Sequence, residues 1–446
     1  MRVSTSQIFD NGTSSILRNQ ASLFKFQNQL STGRRVLTPA DDPVASAQAL
    51  VTTQAKEINK QYVENQGNAE SKLGLLEGSL TGTTDILHAV RERAVQLGNA
   101  ALTDKERRFI ADELQNRLDD LLALANGQDG EGKYLFSGFQ GATLPFAKTG
   151  NPAPAPFDAT NPVVQYFGDQ GERKLQVEAA RTLGISAAGS DVFMKIPNGN
   201  GTFAVSANAA NAGTALADPG TVLDIQKWNA SPVQPQDFEI RFAVDNTVIP
   251  AVTYYNLVDN ASGNSMFSNA APTAGPPFAG DWKVFTSGQP ISFSGLNAAF
   301  GTDLGIQVEV GGAPANGDRF TVETSRNQSV FDTLQNLIAI AGTQIPVSPA
   351  GNTAFMNLLT QQISALDQSL DNVLRVQASV GARMNEIDAL QSAASDLDLQ
   401  YSERLSNLQD LDYAKTISDL SRQQLQLEAA QQSFVRVTSL SLFDLI

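Results

Sequence analysis

The residue types that carry most enzyme chemistry are scarce in this chain. Cysteine is absent and His88 is the single histidine, so cysteine nucleophiles, disulfides and multi-histidine metal sites are excluded. The adjacent carboxylates Asp41-Asp42 and Asp119-Asp120 would point about 100° apart on a helix and could not act together as general acid and base. We therefore interpret these carboxylates as helix caps and solvated groups, and His88 as a residue on a helix surface.

Two glycine-rich stretches and one arginine pair could bind an anion. Residues 150–152 and 311–318 are rich in glycine, but neither stretch ends in the Lys-Ser/Thr pair of a phosphate-binding loop. Arg34 and Arg35 lie in a turn, where we expect ordinary ion pairs with the acidic residues at 41–42. The sequence therefore predicts no catalytic residue, no cofactor site and no metal site, in a protein that is not an enzyme.

Composition limits the class of protein. The chain has 446 residues, enough for two to four domains, and its 31 basic against 46 acidic residues give a formal net charge of −15. This balance argues against a nucleic-acid partner, which would need clustered Lys and Arg. No run approaches the roughly 20 apolar residues of a membrane-spanning helix, and residues 1–5 lack the apolar core of a cleaved signal peptide. We expect neither membrane insertion nor a classical secretion signal.

Proline separates the chain into helical arms and a non-helical middle. Fifteen of the 19 prolines fall between Pro145 and Pro314, and proline interrupts helices because it lacks a donor and clashes with the preceding turn. Alternating apolar residues at 238–244 and 306–310 predict half-buried strands in this middle. The fold class predicted is α+β and multidomain: a long antiparallel helical coiled-coil bundle built from both termini, plus a central β-rich outer domain.

Apolar residues spaced by seven predict that both ends of the chain are helices that pack on other helices. Phe9, Ile16, Leu23 and Leu30 stand seven apart, and the same repeat returns near the C-terminus. We predict that the two ends pack on each other and on neighbouring copies. The first forty residues are basic, and such a helix could instead lie on a membrane, but its narrow apolar line favours helix packing. The predicted assembly interface comprises Phe9, Ile16, Leu23, Leu30, Arg34, Asp41, Asp42, Val380, Ile387, Leu390, Leu397, Tyr401, Leu408, Leu411, Leu420, Leu427, Phe434, Leu440, Leu442, Phe443 and Leu445.

The helical arms can be read in more detail. A helix should begin at Pro43 and, if unbroken, reach 101, with apolar residues alternating by four and three from Ala69 to Leu97. A second helix should start near Thr103 and stop at 126–127. The aromatic run at 132–139 predicts a strand or hairpin. The second arm should begin with a helix at about Ser329, whose apolar face includes Val330 and Ala341, followed by a long helix from about 352 to 407 and beyond.

These elements predict six segments. They are an N-terminal assembly helix and turn (1–42), an N-terminal helical rod (43–139), a first β lobe (140–198), a second β lobe (199–325), a C-terminal helical rod (326–411) and a C-terminal assembly helix (412–446).

Several motifs resemble the bacterial flagellin superfamily. The run LSTGRRV at 30–36, followed by DDP at 41–43, resembles its N-terminal signature, and SVGARMN at 379–385 resembles its C-terminal signature. The opening residues 1–5, the run at 134–138 and the ending at 441–445 look like the members that join the hook to the filament rather than the flagellins of the filament itself. The resemblance covers both arms and leaves the middle weakly matched.

The resemblance implies a structural subunit of the flagellum. Such a protein would be exported unfolded by the flagellar type III apparatus, after binding an export chaperone, and would act outside the cell. It would self-associate in a ring between the first hook-associated protein and flagellin. Three alternatives stay open: a true flagellin, a secreted coiled-coil adhesin, and an enzyme carried in the central β region, which would need a pocket with converging polar groups.

Overall fold

A computed structural model of the chain describes residues 5–149, 162–276, 278, 280–346 and 348–443. Helices occupy the two ends and strands the middle, so the predicted fold class is confirmed. Within the described residues the helices are α1 (Thr5–Thr32), α2 (Pro43–Leu97), α3 (Asp104–Ala125), α4 (Ile225–Asn229), α5 (Val330–Gly342), α6 (Pro349–Gln409) and α7 (Tyr413–Phe443). The strands are β1 (Phe146–Lys148), β2 (Val164–Tyr166), β3 (Lys174–Glu178), β4 (Arg181–Gly184), β5 (Ile196–Pro197), β6 (Phe203–Ala207), β7 (Leu216–Ala217), β8 (Thr221–Val222), β9 (Asp237–Asp245), β10 (Val252–Asp259), β11 (Lys283–Val284), β12 (Pro290–Ser294), β13 (Asp303–Gly311), β14 (Arg319–Thr324) and β15 (Asn327–Gln328).

The regular apolar line of α2 is buried along its whole predicted length. All nine positions are inaccessible or nearly so: Ala69, Leu73, Leu76, Leu80, Thr83, Leu87, Val90, Ala94 and Leu97. His88 lies beside this line and is exposed, as predicted. The helix ends at Leu97, four residues before the predicted limit. At about 1.5 Å per residue, its 55 residues extend over ~80 Å.

The start of α3 follows from its sequence. Thr103 accepts a hydrogen bond from the Glu106 N–H, and the Glu106 carboxylate accepts one from the Thr103 N–H at 2.8 Å. This reciprocal pair satisfies two backbone donors that would otherwise lack partners. The acidic pair in this helix stays on the surface, where Asp119 pairs with Lys148 and Asp120 with Arg117.

The predicted strand or hairpin at 132–139 is wrong. The segment forms turns, with single bridges from Gln128 to Tyr134 and from Ser137 to Ala188. Gly132 and Gly138 have φ angles of 76° and 71°, and this left-handed conformation ends any extended run. The apolar residues Leu135 and Phe136 are buried all the same.

The central β region is built on two larger sheets. One is five-stranded in the order β11-β10-β9-β14-β6, and the other has β13 between β12 on one side and β7 and β8 on the other. Their shared core contains several aromatic side chains, with the Trp228 and Phe203 ring centroids 5.6 Å apart. Two-stranded pairs are formed by β1 with β2, β3 with β4 and β5 with β15.

The two predicted strands differ in burial. In β13 Ile306, Val308 and Val310 are buried while Glu309 is exposed, so this strand is half-buried as predicted. In β9 the prediction is wrong because Glu239, expected to face solvent, is also buried. Glu239 makes an ion pair with Arg241, which supplies a charge partner that the alternation alone does not show.

The two chain ends of the segment predicted as the second β lobe lie side by side. The Asn198 N–H donates to the Arg326 carbonyl at 2.9 Å, and the Ser325 hydroxyl donates to the Asn198 carbonyl at 2.8 Å. Beside them β5 pairs with β15. Residues 199–325 therefore leave and rejoin the chain at one place, which is the geometry of an inserted lobe.

The chain divides into two compact units. The first contains Met1–Gly67, Gln176–Arg181 and Ile387–Ile446, and the second contains Asn68–Leu175 and Thr182–Glu386. The predicted six-segment division is finer than this and remains a proposal. Among the described residues, no helix is both long enough and apolar enough to cross a membrane.

Candidate assembly interface

The connection between α1 and α2 pairs with the connection between α6 and α7. The Arg35 N–H donates to the Gln409 carbonyl at 2.7 Å, and the Leu411 N–H donates to the Gly33 carbonyl at 3.0 Å. The Arg35 guanidinium also donates to the Leu408 carbonyl at 2.9 Å. We call residues 29–42 together with 408–413 the clasp. It joins positions more than 370 residues apart in sequence, and it places the end of α1 beside the start of α7.

Gly33 permits the turn that forms the clasp. Its φ is 68°, a conformation that costs a residue with a Cβ about 1–2 kcal/mol. A Cβ at this position would also lie 2.7 Å from the Tyr413 hydroxyl oxygen. Gln29 is buried beside the turn and donates to the Arg35 carbonyl at 2.6 Å. The glycine in the LSTGRRV run is thus required by both backbone conformation and space.

The acidic pair after the turn holds the clasp by charge. Lys25 Nζ lies 2.7 Å from Asp41, and this hydrogen bond, helped by the Thr38 N–H, holds the pKa of Asp41 well below its usual range. Asp42 accepts from the Ala45 N–H at 2.9 Å and pairs with Arg35 at 3.0 Å. The Ala45 hydrogen bond, followed by Arg35, lowers the pKa of Asp42.

The predicted ion pairs of the arginine turn are therefore partly confirmed. Arg35 meets Asp42 as expected, whereas the partner of Asp41 is Lys25. Arg34 is exposed, and its backbone forms a single antiparallel bridge with Asp410. The sequence did not indicate that the turn would contact the other end of the chain through its backbone.

Helices α1 and α7 pack against each other. The rings of Phe9 and Phe434 have centroids 5.1 Å apart, and the Gln423 amide donates to the Asn19 side chain at 3.2 Å. Gly12 makes room for Phe434, since a Cβ there would lie 2.6 Å from ring carbon Cδ2. We call this α1–α7 contact the terminal seam.

The predicted residues of α1 and α7 lie half-buried or exposed in the isolated chain. Half of the Phe9 surface is exposed. The remaining described members are half-buried: Ile16, Leu23, Leu30, Leu420, Leu427 and Phe434. Leu445, and the side chains of Leu440, Leu442 and Phe443, lie outside the described residues. The terminal seam thus leaves apolar surface in contact with water.

The predicted residues of α6 and of the following turn differ in solvent exposure. Val380 and Ile387 are buried and Leu411 nearly so, while Leu397 is exposed. Half-buried positions are Leu390, Tyr401 and Leu408.

Comparison with known proteins agrees with this arrangement. The family model described as the bacterial flagellin N-terminal helical region matches residues 3–141, which include the first half of the clasp. Flagellar hook-associated protein 3 of Escherichia coli is 26% identical over 445 residues, covering 100% of this chain and 99% of that protein. The crystal structure of the flagellar junction protein FlgL from Legionella pneumophila matches with a TM-score of 0.67 and 27% identity, covering 81% of this chain and 100% of that chain.

This chain thus resembles the flagellins in its N-terminal helical region and hook-associated protein 3 along its full length. Its likeness to a filament protein is more local. The phase 1 flagellin of Salmonella naestved is 31% identical over 111 residues, which are 24% of this chain and 22% of that protein. Similarity to hook-associated protein 3 therefore extends from end to end, whereas similarity to this flagellin does not.

A second contact involves the SVGARMN run at 379–385. Arg383, within the SVGARMN run, makes an ion pair with Glu172 and donates to the Gly184 carbonyl at 3.1 Å. Gly184 has no room for a side chain, because a Cβ there would meet both the Glu172 carboxylate and the Arg383 guanidinium. The signature arginine thus anchors the segment from 172 to 184 on α6.

The described residues of this flagellin relative contain no group of three or more His, Asp or Glu placed to hold a metal ion. Beside β7 lies a crevice lined by Val205, Asp218, Asn357 and Ser364 among others. Asp218 is the one titratable residue in its lining, and its carboxylate already accepts from the Gly220 and Glu309 N–H groups. Loop 311–318 joins β13 to β14 and has strand, not helix, on both sides.

Several residues of the interface escaped the sequence reasoning. Gly12 and Tyr413 act through close contacts with Phe434 and Gly33, Gln29 donates a hydrogen bond to the Arg35 carbonyl, and none of the three stands on the seven-residue line. Asn59 and Gln66 are buried polar residues of α2 that donate to the Ala394 and Val177 carbonyls. The seven-residue spacing of Thr52, Asn59 and Gln66 could have indicated a polar buried line.

Proposed function

We propose that this chain is a structural subunit of the bacterial flagellum that forms the junction between hook and filament. The observation that carries the proposal is its end-to-end similarity to hook-associated protein 3, set against a flagellin match limited to 111 residues. The match to a flagellar junction protein of known structure, at a TM-score of 0.67, supports the same assignment.

The terminal helices are the proposed assembly surface. The clasp places the end of α1 beside the start of α7 and so presents both helices from one place. Half-buried apolar residues along the terminal seam support this role, because such surface gains stability when neighbouring copies exclude water from it. The proposed interface is the set of residues predicted from the sequence, extended by Gly12, Gln29 and Tyr413. The proposed outer part is the β region, split into lobes at 140–198 and 199–325.

The neighbours follow from the junction role. We propose self-association in a ring, with the first hook-associated protein on one side and flagellin on the other. Export through the flagellar type III apparatus, after binding an export chaperone, would bring the chain outside the cell. The role is structural and needs no catalysis, which agrees with the similarity to hook-associated protein 3 and to a flagellar junction protein.

Hook ends provide the test of this function. Flagella that lack their own junction protein are supplied with this chain and then with flagellin monomers. We expect the chain to bind hook ends capped by the first hook-associated protein, and filaments to grow only after flagellin is added. Long filaments built from the chain alone would show that it is a flagellin, and filament growth that does not depend on the chain would reject the junction role.

A further inference from the structure

The first part of α2 has an apolar face that points away from its own fold. Val44, Val51 and Ile58 stand seven apart and are between 51% and 67% exposed. With Gln48, Ala55 and Tyr62 they continue an alternation by four and three, which is the pattern of a helix that packs on another helix. We call Val44, Val51 and Ile58 the α2 stripe.

The buried face of the same segment carries small and polar residues, among them Ala45 and Ala49, and no large apolar side chain. Thr52, Asn59 and Gln66 are also seven apart and are 7% exposed or less. Thr52 directly follows Val51 in sequence, and Asn59 directly follows Ile58. The side-chain amides of Asn59 and Gln66 donate hydrogen bonds to backbone carbonyls of the same compact unit. Small and polar residues inside with branched apolar residues outside differ from the usual amphipathic arrangement. The α2 stripe is therefore not explained by the stability of the isolated chain.

A second exposed stripe lies on α1 in the same compact unit. Leu17 and Phe24, also seven apart, are 64% and 58% exposed. We call them the α1 stripe. A spacing of seven residues corresponds to a rise of ~10.5 Å on both helices, so the two stripes have matching repeats. Among the described side chains of α7, the exposed large apolar residues do not share this repeat, since no two of them stand seven apart: Tyr413, Ile417, Leu425, Val435 and Val437.

Charge supports the same pairing. Arg18 follows Leu17 on α1, and Glu57 precedes Ile58 on α2, and both charged residues are exposed. Opposite charges that flank an apolar seam select the partner helix and its orientation. One stripe thus carries a cation and the other an anion at its border.

We propose that the α2 stripe of one copy docks on the α1 stripe of the next copy. Two different patches on one subunit are what a head-to-tail contact requires, and such contacts generate rings or helical assemblies. The occupant is therefore a second copy of this chain. The inference rests on the proposed function, since it names the partner surface within that assembly.

Cysteine cross-linking tests the pairing, because the natural chain has no cysteine and each introduced thiol is unique. Two chains with different tags, one carrying Val51→Cys and the other Phe24→Cys, are expressed together, and flagella are treated with a short bis-maleimide. We expect the mixed product of Val51→Cys with Phe24→Cys and no product between two Val51→Cys chains. The matched control is Val95→Cys, on the same helix and 55% exposed, which should remain uncross-linked.

Three outcomes would overturn the docking. They are a product between two Val51→Cys chains, a product with a different flagellar protein only, and no product although both chains are present in the flagella. If the wild-type chain is absent from flagella, the proposed function fails separately, before any cross-link is scored.

A charge exchange gives a second test that leaves the apolar core untouched. Arg18→Glu and Glu57→Arg should each lower the amount of chain in flagella, because every contact in the assembly then places like charges together. The double variant Arg18→Glu/Glu57→Arg should recover it, as each contact again pairs opposite charges. We expect about a tenfold loss in each single variant, equal to ~1.4 kcal/mol per contact. A double variant as poor as the singles would contradict the docking.

Discussion

Individual residues of the clasp show how the N-terminal signature is held against the distant segment 408–413. The carboxylates of Asp41 and Asp42 hold the turn through Lys25, Arg35 and backbone N–H groups, and the pKa values of both are lowered. The LSTGRRV motif thus forms the turn, and the DDP motif supplies the two carboxylates whose ion pairs stabilise it. The partner of that turn, at 408–413, carries no comparable motif.

The lowered pKa values predict how the clasp responds to acid. Because the folded pKa of each carboxylate lies below the value of about 3.9 expected in the unfolded chain, the unfolded chain binds more protons as the pH falls. The stabilisation is therefore complete above about pH 4 and decreases below it. Amide hydrogen-exchange protection of Arg35 and Leu411 should fall in this range. In Asp41→Asn protection should be weaker above pH 4 and fall less steeply with acid; an unchanged profile would contradict the role of Asp41.

Replacement of Gly33 by alanine should destabilise the clasp. The left-handed φ alone costs about 1–2 kcal/mol, and contact with the Tyr413 hydroxyl adds to it. Thermal unfolding should show the loss, and adding Tyr413→Phe should recover only the steric part. The matched control is Gly67→Ala in α2, where nothing lies within 4 Å of the added Cβ and a gain of about 0.5–1 kcal/mol is expected. Equal effects at the two glycines would contradict this reading of Gly33.

At the scale of elements, the helices were far easier to predict than the strands and turns. The buried line of α2 and the cap of α3 depend on local spacing, which the sequence displays directly. The run at 132–139 has strand-like composition, yet two left-handed glycines make it a turn. Glu239 is buried because of a charge partner, Arg241, that alternation does not specify.

For the candidate assembly interface, the sequence predicted the terminal helices but not the clasp. Lines of seven-spaced residues identified the terminal helices, because helix packing is repetitive. The clasp could not be predicted, since backbone hydrogen bonds such as that from Arg35 to Gln409 leave no mark on side-chain type. Val51 and Ile58 of the α2 stripe each stand one position before a buried polar residue, Thr52 or Asn59. Only the observed exposure shows which of the two seven-residue lines faces solvent.

A leucine pair on α2 tests the buried line. Leu80 is fully buried and Leu75, on the same helix, is 45% exposed. Leu80→Ala should lower the free energy of unfolding by about 2–5 kcal/mol through lost burial and a cavity. Leu75→Ala should cost less than about 1 kcal/mol, because its side chain already meets water. Chemical denaturation measures both, and similar losses would contradict the assignment of the core face.

The terminal seam can be tested through Gly12. Gly12→Ala places a methyl group 2.6 Å from the Phe434 ring, so α1 and α7 must shift apart or out of register. We expect faster limited proteolysis within α7 and less chain in flagella. Combining the change with Phe434→Ala should relieve the clash but not restore the seam. Proteolysis at the wild-type rate in Gly12→Ala would show that the two helices do not pair in this register.

In the whole molecule, the β region can fold without the C-terminal residues that we expect to act in assembly. Both tryptophans lie in the β region, where Trp228 is buried, so tryptophan fluorescence reports on this region alone. Deleting residues 440–446 should leave the fluorescence unfolding curve unchanged and abolish incorporation into the flagellum. Normal motility with the truncated chain would contradict an assembly role for the C-terminus.

The position of the protein on an intact flagellum is the most direct test of the central claim. The chain carries a tag between β9 and β10, where Ile249 is almost fully exposed, and is labelled with gold and imaged by electron microscopy. If the chain forms the junction, we expect one narrow band of label at the boundary between hook and filament. Label spread along the filament, or absent from the flagellum, would contradict it.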